Sequence, residues 1–545
     1  MNRIEVISEV IESIDSVYLK NELKETKAKS IVGEIDIEIN DEKYSFEMEI
    51  QKPYPFQFHN QETIQFVNKQ FLKYNHVNAD GSICLHTNSH PGNFREKLIL
   101  DLNGLKSWVQ NYLIEEKQDH HYEHIIVPYN SHDDIIRQFL FTDINIEFEE
   151  DQFGLCGFSL LANTVLGGNK GETYIVKEFG EPLEAKCNWS MFYSNTKNDF
   201  GFYILTDPPV TKDNHRIAAT RWDELTYLIH PEFLELVSNA IRNNRYFRDS
   251  KFITVFFGYK IPGNKVHWQV ATFPKNNPPI YSVKTKDRNW TGKLNDSKIN
   301  WTETIDCSYH LFFGRGKLSE HIVTKKILLI GCGATGSILA ENLVRGGAKT
   351  LALVDYDTKE PGNISRSNYR FATGVTDKTD ELGLNLMSIS PFIEIIYSNI
   401  LTDKIKILKY DDNRSREELQ DLLNEYGYIF DCSTDNDLLY ILDDLNLTSK
   451  VISIGITNHA NEMVVTAGTN IYKKTAHIFN QLDQDINDLF NPTGCWSPTF
   501  KARNTDISVL VNTAINEIDR QISLGSDLRN FYISREENNI KICHY

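Results

Sequence analysis

Three stretches of this chain carry residues whose types and spacing could do chemistry. The first is Gly331-Cys332-Gly333-Ala334-Thr335-Gly336, a G-x-G-x-x-G turn. It follows the short apolar run Ile327 to Ile330 and opens a segment with Ile338, Leu339, Leu343 and Val344 on one helical face. A second apolar run, Thr350 to Val354, ends in Asp355. That order is a βαβ unit, in which glycines let the backbone approach a phosphate at a helix N-terminus and the acid suits ribose hydroxyls. Alone it fits any dinucleotide enzyme. The second stretch is Gly494-Cys495-Trp496-Ser497-Pro498. Ser and Pro there are helix-start signals, and Ile507, Leu510, Val511, Ala514, Ile515, Ile518 and Ile522 form a helical stripe just after. A thiol near a helix N-terminus, with Lys501 and Arg503 close in sequence, is expected to have a lowered pKa, as a nucleophile toward an activated acyl group requires. The third is Cys84, at the end of Asn75-His76-Val77-Asn78-Ala79-Asp80-Gly81-Ser82-Ile83-Cys84-Leu85. A core cysteine after a turn is the competing reading of that thiol.

The residues after the second apolar run narrow the choice. Val354-Asp355-Tyr356-Asp357 is followed by Asn363, Ile364, Ser365 and Arg366. This closely resembles the V-D-x-D…N-x-x-R signature of ubiquitin-activating-type adenylating enzymes, the ThiF/MoeB/E1 superfamily. The resemblance implies an ATP site rather than a nicotinamide site, lined by Gly331, Gly333, Gly336, Asp355, Asp357, Asn363 and Arg366. It also makes Lys378, twelve residues after Arg366, the lysine that reaches the nucleotide. Asp431-Cys432-Ser433-Thr434-Asp435-Asn436 resembles the family's strand-end D-x-x-D-N motif with one extra residue, so Asp435 becomes the Mg²⁺-side carboxylate. The arginine that often follows this motif is absent, and Tyr440 sits near its place. Arg315 is a candidate for the arginine that a dimer partner contributes. Cys495 matches the thioester-forming cysteine on the loop that crosses the ATP site, whereas Cys332 and Cys432, in strand-end motifs, read as packing residues. The residue types suit the reaction. A carboxylate attacking the α-phosphate of ATP brings like charges together, and Arg366, Lys378 and Mg²⁺ on Asp435 would offset that repulsion.

Residues 1 to about 125 present a second pattern. Ile4, Ile7, Val10, Ile11 and Ile14 have helical spacing; Ile31 to Asn40 and Tyr44 to Gln51 read as strands around an Asn40-Asp41 turn. Pro53-Tyr54-Pro55 ends the second strand, and Leu98 to Glu116 is helix-like. Helix, meander, proline-bearing exit, H-x-N…G-x-I-C-L and a further helix together resemble ubiquitin-conjugating (E2-like) enzymes. The resemblance makes Cys84 the acyl-carrying cysteine and Asn78 the counterpart of the H-P-N asparagine. Val77 stands where the motif has proline, and Asn78 lies six residues before the cysteine instead of the usual eight, so His76 or Asn75 could take the asparagine's part. A donor to the tetrahedral oxyanion formed when an amine attacks a thioester is worth about 3–4 kcal/mol.

The elements that must position these groups call for several domains. The chain has 545 residues, with 41% hydrophobic and 24% charged residues, ordinary values for globular protein. No apolar run approaches the ~20 residues of a membrane span, and the N-terminus lacks a signal-peptide pattern, so a cytoplasmic protein that binds no membrane is expected. A net charge of −18 without a long basic run argues against nucleic-acid binding. The eight cysteines are scattered with no C-x-x-C pair, which points away from a disulfide framework and from the structural zinc of many adenylating relatives. Between the two patterns, strand-like segments at Asn145 to Phe148, Thr173 to Val176, Gly201 to Leu205, Phe252 to Phe257 and His267 to Phe273 flank a helix over Trp222 to Arg242 that Pro231 bends or interrupts. His120, His121 and His124 lie in a Gln/Asp/Glu-rich connection and read as a solvated face, not a metal cluster.

The expected class is therefore α/β: an α+β ubiquitin-conjugating-like domain over 1–125, a mixed α/β linker domain over 126–320, and a Rossmann-like ThiF/E1 adenylation domain over 321–545. Together the two patterns resemble the fusion proteins of bacterial antiphage operons, the CD-NTase-associated protein 2 family of CBASS systems. The resemblance implies that a protein's free C-terminal carboxylate is adenylated with ATP and Mg²⁺, passed to Cys495, then to Cys84, then to an amine on a target protein. In that family the cargo is a cGAS/DncV-like nucleotidyltransferase and the enzymes act as homodimers. The same cascade acting on a ubiquitin-like modifier stays open. So does a sulfur-carrier adenylyltransferase of the ThiF/MoeB type, which leaves Cys84 unexplained. A non-catalytic scaffold is disfavoured by the near-complete set Gly331, Asp355, Arg366, Lys378 and Asp435.

Overall fold

In the computed structural model, residues 3–545 are described apart from 59–60, 86–92, 118–124, 130–133, 145–146, 150, 167, 181–182, 190–192, 194–195, 207–208, 213–215, 244–246, 248–249, 251, 262–264, 285–289, 399–412, 483, 491–498, 526 and 537–538. Contacts divide the chain into two compact units, residues 1–187 with 197–306, and residues 188–196 with 307–545.

The first unit begins with helix α1 (Arg3–Glu12), which buries Ile7, Val10 and Ile11 at the expected spacing. An antiparallel meander follows: β1 (Val17–Leu19), β2 (Ile31–Ile39), β3 (Glu42–Ile50) and β4 (Ile64–Val67), hydrogen-bonded in that order. Asn40 and Asp41 both take left-handed φ, 55° and 63°, the geometry whose twist suits a two-residue hairpin. That turn sets Ile35 opposite Phe46 and Ile31 opposite Ile50, so the buried side chains of both strands share one face. Helix α2 (Phe94–Trp108), capped by the Asn93 side chain, lays Leu98, Leu102, Leu105 and Trp108 into the same core. Each such side chain contributes about 1.5–3 kcal/mol by leaving water. A π-helical turn, Val109–Ile114, extends α2.

The same unit continues through β5 (Ile135–Phe141), β6 (Phe153–Leu166), β7 (Asn169–Gly180), β8 (Leu183–Lys186), β9 (Asp199–Leu205), α3 (Pro231–Asn243), β10 (Phe252–Ile261), β11 (Lys265–Pro274), β12 (Ile280–Lys284), β13 (Trp290–Leu294) and β14 (Asn300–Asp306). The sheet order is β5-β14-β11-β10-β9-β6-β7-β8, and β5 also pairs with β7, which closes seven strands into a ring. Strand therefore outweighs the mixed α/β content expected here. At Pro231 the expected helix is interrupted and not bent. Trp222–Leu225 is a separate 3₁₀ turn and Pro231 is the first residue of α3, where its missing N–H costs nothing. Asn145 and Ile146 lie outside the described residues, and Glu147 to Glu149 are not strand. His120, His121 and His124 also lie outside them.

The second unit is built on a sheet of order β17-β16-β15-β18-β19-β20-β21-β22. Its strands are β15 (Lys326–Ile330), β16 (Thr350–Val354), β17 (Glu394–Tyr397), β18 (Tyr428–Asp431), β19 (Lys450–Ile456), β20 (Glu462–Ala467), β21 (Phe531–Glu536) and β22 (Asn539–His544). The first five are parallel and the last three antiparallel. Helices α4 (Ala334–Arg345), α5 (Lys378–Ile389), α6 (Asn413–Asn424), α7 (Asn436–Asp444), α8 (Ile471–Phe479) and α9 (Asn504–Ser523) complete it. The apolar runs β15 and β16 are buried along nearly their whole length, as strands covered on both faces must be. The stripe Ile507, Leu510, Val511, Ala514, Ile518 and Ile522 of α9 packs in the core formed with α4 and β15. The order of the parallel strands reverses between β15 and β18, and in such sheets a ligand crevice opens outside the strands' carboxyl ends at that point. Among the described residues no helix is long and apolar enough to cross a membrane.

Candidate active site

The crevice is present. A cleft of about 590 Å³ opens where β15, β16 and β18 end, lined by residues that include Gly331, Gly333, Asp355, Asp357, Asn363, Arg366, Lys378 and Asp435. Those eight were singled out from sequence. Gly336, the ninth residue expected there, works from behind. An ideal Cβ on it would stand 1.9 Å from the Gly331 carbonyl oxygen, so only glycine lets α4 pack this close to the turn. At Gly331, φ is +87° and a Cβ would meet the Ser433 nitrogen at 2.6 Å. At Gly333 a Cβ would meet nothing within 4 Å, which keeps that side of the loop open to the cleft.

Two groups hold the glycine turn from opposite sides. Asp355 accepts from the Cys332 N–H at 2.6 Å through Oδ2 and from the Asp357 N–H at 2.9 Å through Oδ1. Burial pushes its carboxyl up, and the Lys378 charge pulls it back. The buried Tyr369 hydroxyl donates to the Cys332 carbonyl. Burial, more than the nearby acids, raises the Tyr369 phenol well above its ordinary value and keeps it a donor. Lys378 opens α5 and reaches Asp357 Oδ2 at 2.6 Å with a nearly buried ammonium. Asn363 Oδ1 accepts from the Glu360 N–H at 2.9 Å, fixing the short turn that carries it. Beneath this segment a buried ion pair, Lys359 to Glu381, ties the 359–378 loop down; Glu381 also accepts from Arg370 N–H and from Thr373 and Thr376.

Arg366 is placed differently from a simple phosphate ligand. Its Nη1 donates to Thr499 Oγ1 at 2.9 Å and to the Phe500 carbonyl at 3.1 Å, and its guanidinium stands 4.9 Å from the centre of the Phe500 ring. Thr499 in turn exchanges both backbone hydrogen bonds with Phe490, at 2.8 and 2.9 Å. That bridge is the stem of the segment 491–498, which contains Cys495 and lies outside the described residues. A second clip is Asn458, which is buried. It donates to the Asp485 and Asp488 carbonyls and accepts from the Lys501 N–H at 2.7 Å. The stem of the Cys495 segment is thus tied into the cleft by an arginine that also lines it.

Two of the features near Cys495 in sequence, the helix start and the two cations, lie among the described residues. Helix α9 starts at Asn504, not near Pro498; Cys495 itself lies outside the described residues. Lys501 is ion-paired to Asp488 and Arg503 to Asp506, so their charges are already matched. The Arg503–Asp506 pair is local, three positions apart, while Lys501 reaches Asp488 thirteen positions away.

Asp435 is the N-cap of α7, its Oδ1 accepting from the Asp437 and Leu438 N–H groups at 3.0 and 3.1 Å. The Ser433 and Thr434 hydroxyls lie on the same wall of the cleft, a hard-oxygen donor set that suits Mg²⁺. Asp431, which opens the strand-end motif but was given no role from sequence, is a buried acid that also lines the cleft and accepts from Ser433 N–H and Oγ. Its position at the end of an apolar strand was a usable signal. Burial pushes its carboxyl up to about 6, against the Ser433 hydrogen bonds. A carboxyl whose folded pKa lies above its unfolded value stabilises the fold while protonated, and that contribution is lost as pH rises through the folded pKa. Relative to an Asp431→Asn variant, the wild type is expected to lose about 3 kcal/mol between roughly pH 4 and pH 7. Denaturant midpoints at several pH values measure it, and a pH-independent difference between the two proteins would count against the assignment.

In the first unit, residues 76 to 84 form a small hairpin. Val77 and Ile83 are bridged, the Asn78 N–H donates to the Ser82 carbonyl at 2.8 Å, and the Cys84 N–H donates to the His76 carbonyl at 2.7 Å. Cys84 is exposed, so the core-cysteine reading does not hold. The Asn78 amide donates to Ser82 Oγ at 3.0 Å. Cys332 is fully buried and Cys432 partly so, packing within the core of the second unit.

Residues 309–482 match the ThiF family model. The C-terminal part of the chain is thus a ThiF/E1-like adenylation domain with a Rossmann-like α/β fold. Over a longer stretch the chain resembles the ATP-dependent ubiquitin transferase-like protein Cap2 of Enterobacter hormaechei subsp. hoffmannii (strain UCI 50). The two are 23% identical over 423 residues, 71% of this chain and 68% of that protein. A Cap2 of Pseudomonas aeruginosa (strain BWHPSA011 / Pa011) is 35% identical over 81 residues, 14% of this chain and 15% of that one. Ubiquitin-like modifier-activating enzyme 5 of Bombyx mori is 32% identical over 101 residues, 18% of this chain and 26% of that one.

Proposed function

We propose that this chain is an ATP-dependent ubiquitin-transferase-like enzyme that adenylates the C-terminal carboxylate of a protein and passes the acyl group through two thioesters to an amine. Residues 321–545 would be the adenylation domain, 1–125 a ubiquitin-conjugating-like domain and 126–320 the linker. The carboxylate oxygen attacks the α-phosphorus of ATP, the Pα–O–Pβ bond breaks, and pyrophosphate leaves. Cys495 then attacks the acyl carbon as thiolate and AMP leaves. Cys84 takes the acyl group by thiol exchange, which costs little free energy because one thioester replaces another.

The observation that carries this reading is the Arg366 contact with Thr499 and Phe500, which joins the cleft to the stem of the Cys495 segment. Adenylate formation and thiol attack need to be neighbours, and no oxidoreductase requires that link. Backbone N–H groups of the glycine turn would face the phosphates, with Lys378 and Arg366 offsetting their charge. Mg²⁺, held by Asp435, would screen the triphosphate and stabilise charge at phosphorus. The proposed cargo is a cGAS/DncV-like nucleotidyltransferase in antiviral defence, and the active species a homodimer.

A non-reducing gel with ATP and Mg²⁺ tests the relay, using a nucleotidyltransferase with a free C-terminal tail in one arm and a ubiquitin-like modifier in the other. Cys495→Ala is expected to remove every thioester. Cys84→Ala is expected to keep the first thioester and lose the final conjugate. A Cys84→Ala protein that makes full product points to sulfur-carrier chemistry, and adducts on neither cysteine sink the scheme.

A further inference from the structure

We infer that His76, not Asn78, is the side chain that serves the Cys84 thioester when an amine attacks it; this rests on the acyl-transfer role proposed for Cys84. The hairpin register decides between them. With Val77 bridged to Ile83, and Asn78 and Cys84 donating to Ser82 and His76 respectively, residue 76 stands opposite 84 and residue 78 opposite 82. Directly opposed residues on an antiparallel pair have Cβ atoms about 4.5–5.5 Å apart, and diagonal neighbours about 7–8 Å. His76 is therefore the direct neighbour of Cys84, and Asn78 the diagonal one. The Asn78 amide is also engaged at the turn, donating to Ser82 Oγ at 3.0 Å, while Ser82 Oγ donates to Asp80 at 2.6 Å. Asn78 builds the turn, in short.

His76 carries two further marks. Its φ is +60°, a left-handed conformation that a non-glycine residue adopts only where the surroundings fix it. Its ring meets that of Tyr112 edge-on, with centres 4.9 Å apart, so the imidazole has a defined seat. Tyr112 lies in the π-helical turn after α2, a distortion often found at functional sites. The Asn75 carbonyl just before His76 accepts from the Trp108 indole at 3.0 Å, which anchors the hairpin to the same helix.

In the step served, the amine nitrogen bonds to the acyl carbon and the carbonyl π pair moves onto oxygen. The His76 ring N–H donates to that oxygen. On collapse the C–S bond breaks, Cys84 leaves as thiolate, and the ammonium proton passes to water.

The test needs neither cargo nor adenylation. In full-length Cys495→Ala protein, Cys84 is loaded by thiol exchange with a fluorescent peptide α-thioester and discharged with free lysine. His76→Ala is expected to load normally and discharge about 100-fold more slowly, and Asn78→Ala to discharge within about threefold of the parent. His76→Asn supplies an amide donor from a residue that tolerates positive φ, and is expected to recover discharge to within about tenfold of the parent. His76→Ala discharging at the parental rate overturns the inference alone. So does Asn78→Ala that loads but discharges 100-fold slower, or His76→Asn that loads but discharges no faster than His76→Ala. A parent whose Cys84 takes no thioester overturns the acyl-transfer reading and the inference with it.

Discussion

Arg366→Ala is expected to lower ATP–pyrophosphate exchange with a protein cargo by 100-fold or more, on the order of what one preorganised donor to a developing charge is worth. The arginine is half buried, and burial pulls its pKa down without removing its charge, so the cleft holds a cation that water does not screen fully. Lysine should not substitute. It carries the charge, but not the planar Nη1 group that donates to both Thr499 and Phe500, nor the guanidinium face over the Phe500 ring. Arg366→Lys is expected to stay at least tenfold below wild type. Thr499→Val separates the two duties, because it removes one acceptor on the stem and leaves the guanidinium in the cleft. It is expected to keep exchange and slow thioester formation on Cys495. Arg366→Lys with wild-type exchange and thioester yield would show that charge alone suffices.

Gly336→Ala is expected to destabilise the C-terminal unit by about 3 kcal/mol and to abolish nucleotide binding. The new methyl would stand 1.9 Å from the Gly331 carbonyl oxygen, and that neighbour is backbone in a turn already held by Asp355 and Tyr369. Either α4 moves off the sheet or the turn unwinds, and both spoil the phosphate cradle. Gly333→Ala is the matched control. It meets nothing within 4 Å and its φ of −70° is open to any residue, so stability should hold within about 0.5 kcal/mol. Its methyl would still crowd the cleft, so ATP affinity should fall. Denaturant midpoints and ATP titration read both effects, and a Gly336→Ala protein unfolding at the wild-type midpoint would refute the packing argument.

The stretch from Ile327 to Asp355 was readable because its determinants are local. An apolar run, a glycine turn and a helical stripe within thirty residues leave one economical arrangement, the right-handed βαβ unit. The α1–β2–β3 order, the Asn40-Asp41 turn and the stripe on α9 were readable for the same reason, each set by a period or a turn within one element. Residues in sequence motifs, from Asp357 to Asp435, could be named because their types suit phosphate and metal chemistry at strand ends.

Partnership over long separations was beyond the sequence. Arg366 and Thr499 are 133 positions apart, and nothing in either neighbourhood says that one will clamp the other. The Lys501–Asp488 pair is of the same kind, its partners thirteen positions apart on either side of the 491–498 segment. The ring closed by β5 depends on strands pairing in parallel across distant segments, for which hydropathy carries no address. So the sequence by itself determined the local units and the chemical kinds of groups available. Tertiary structure alone decided which group faces which, because burial and pairing energies are settled by the packed neighbours and not by spacing along the chain.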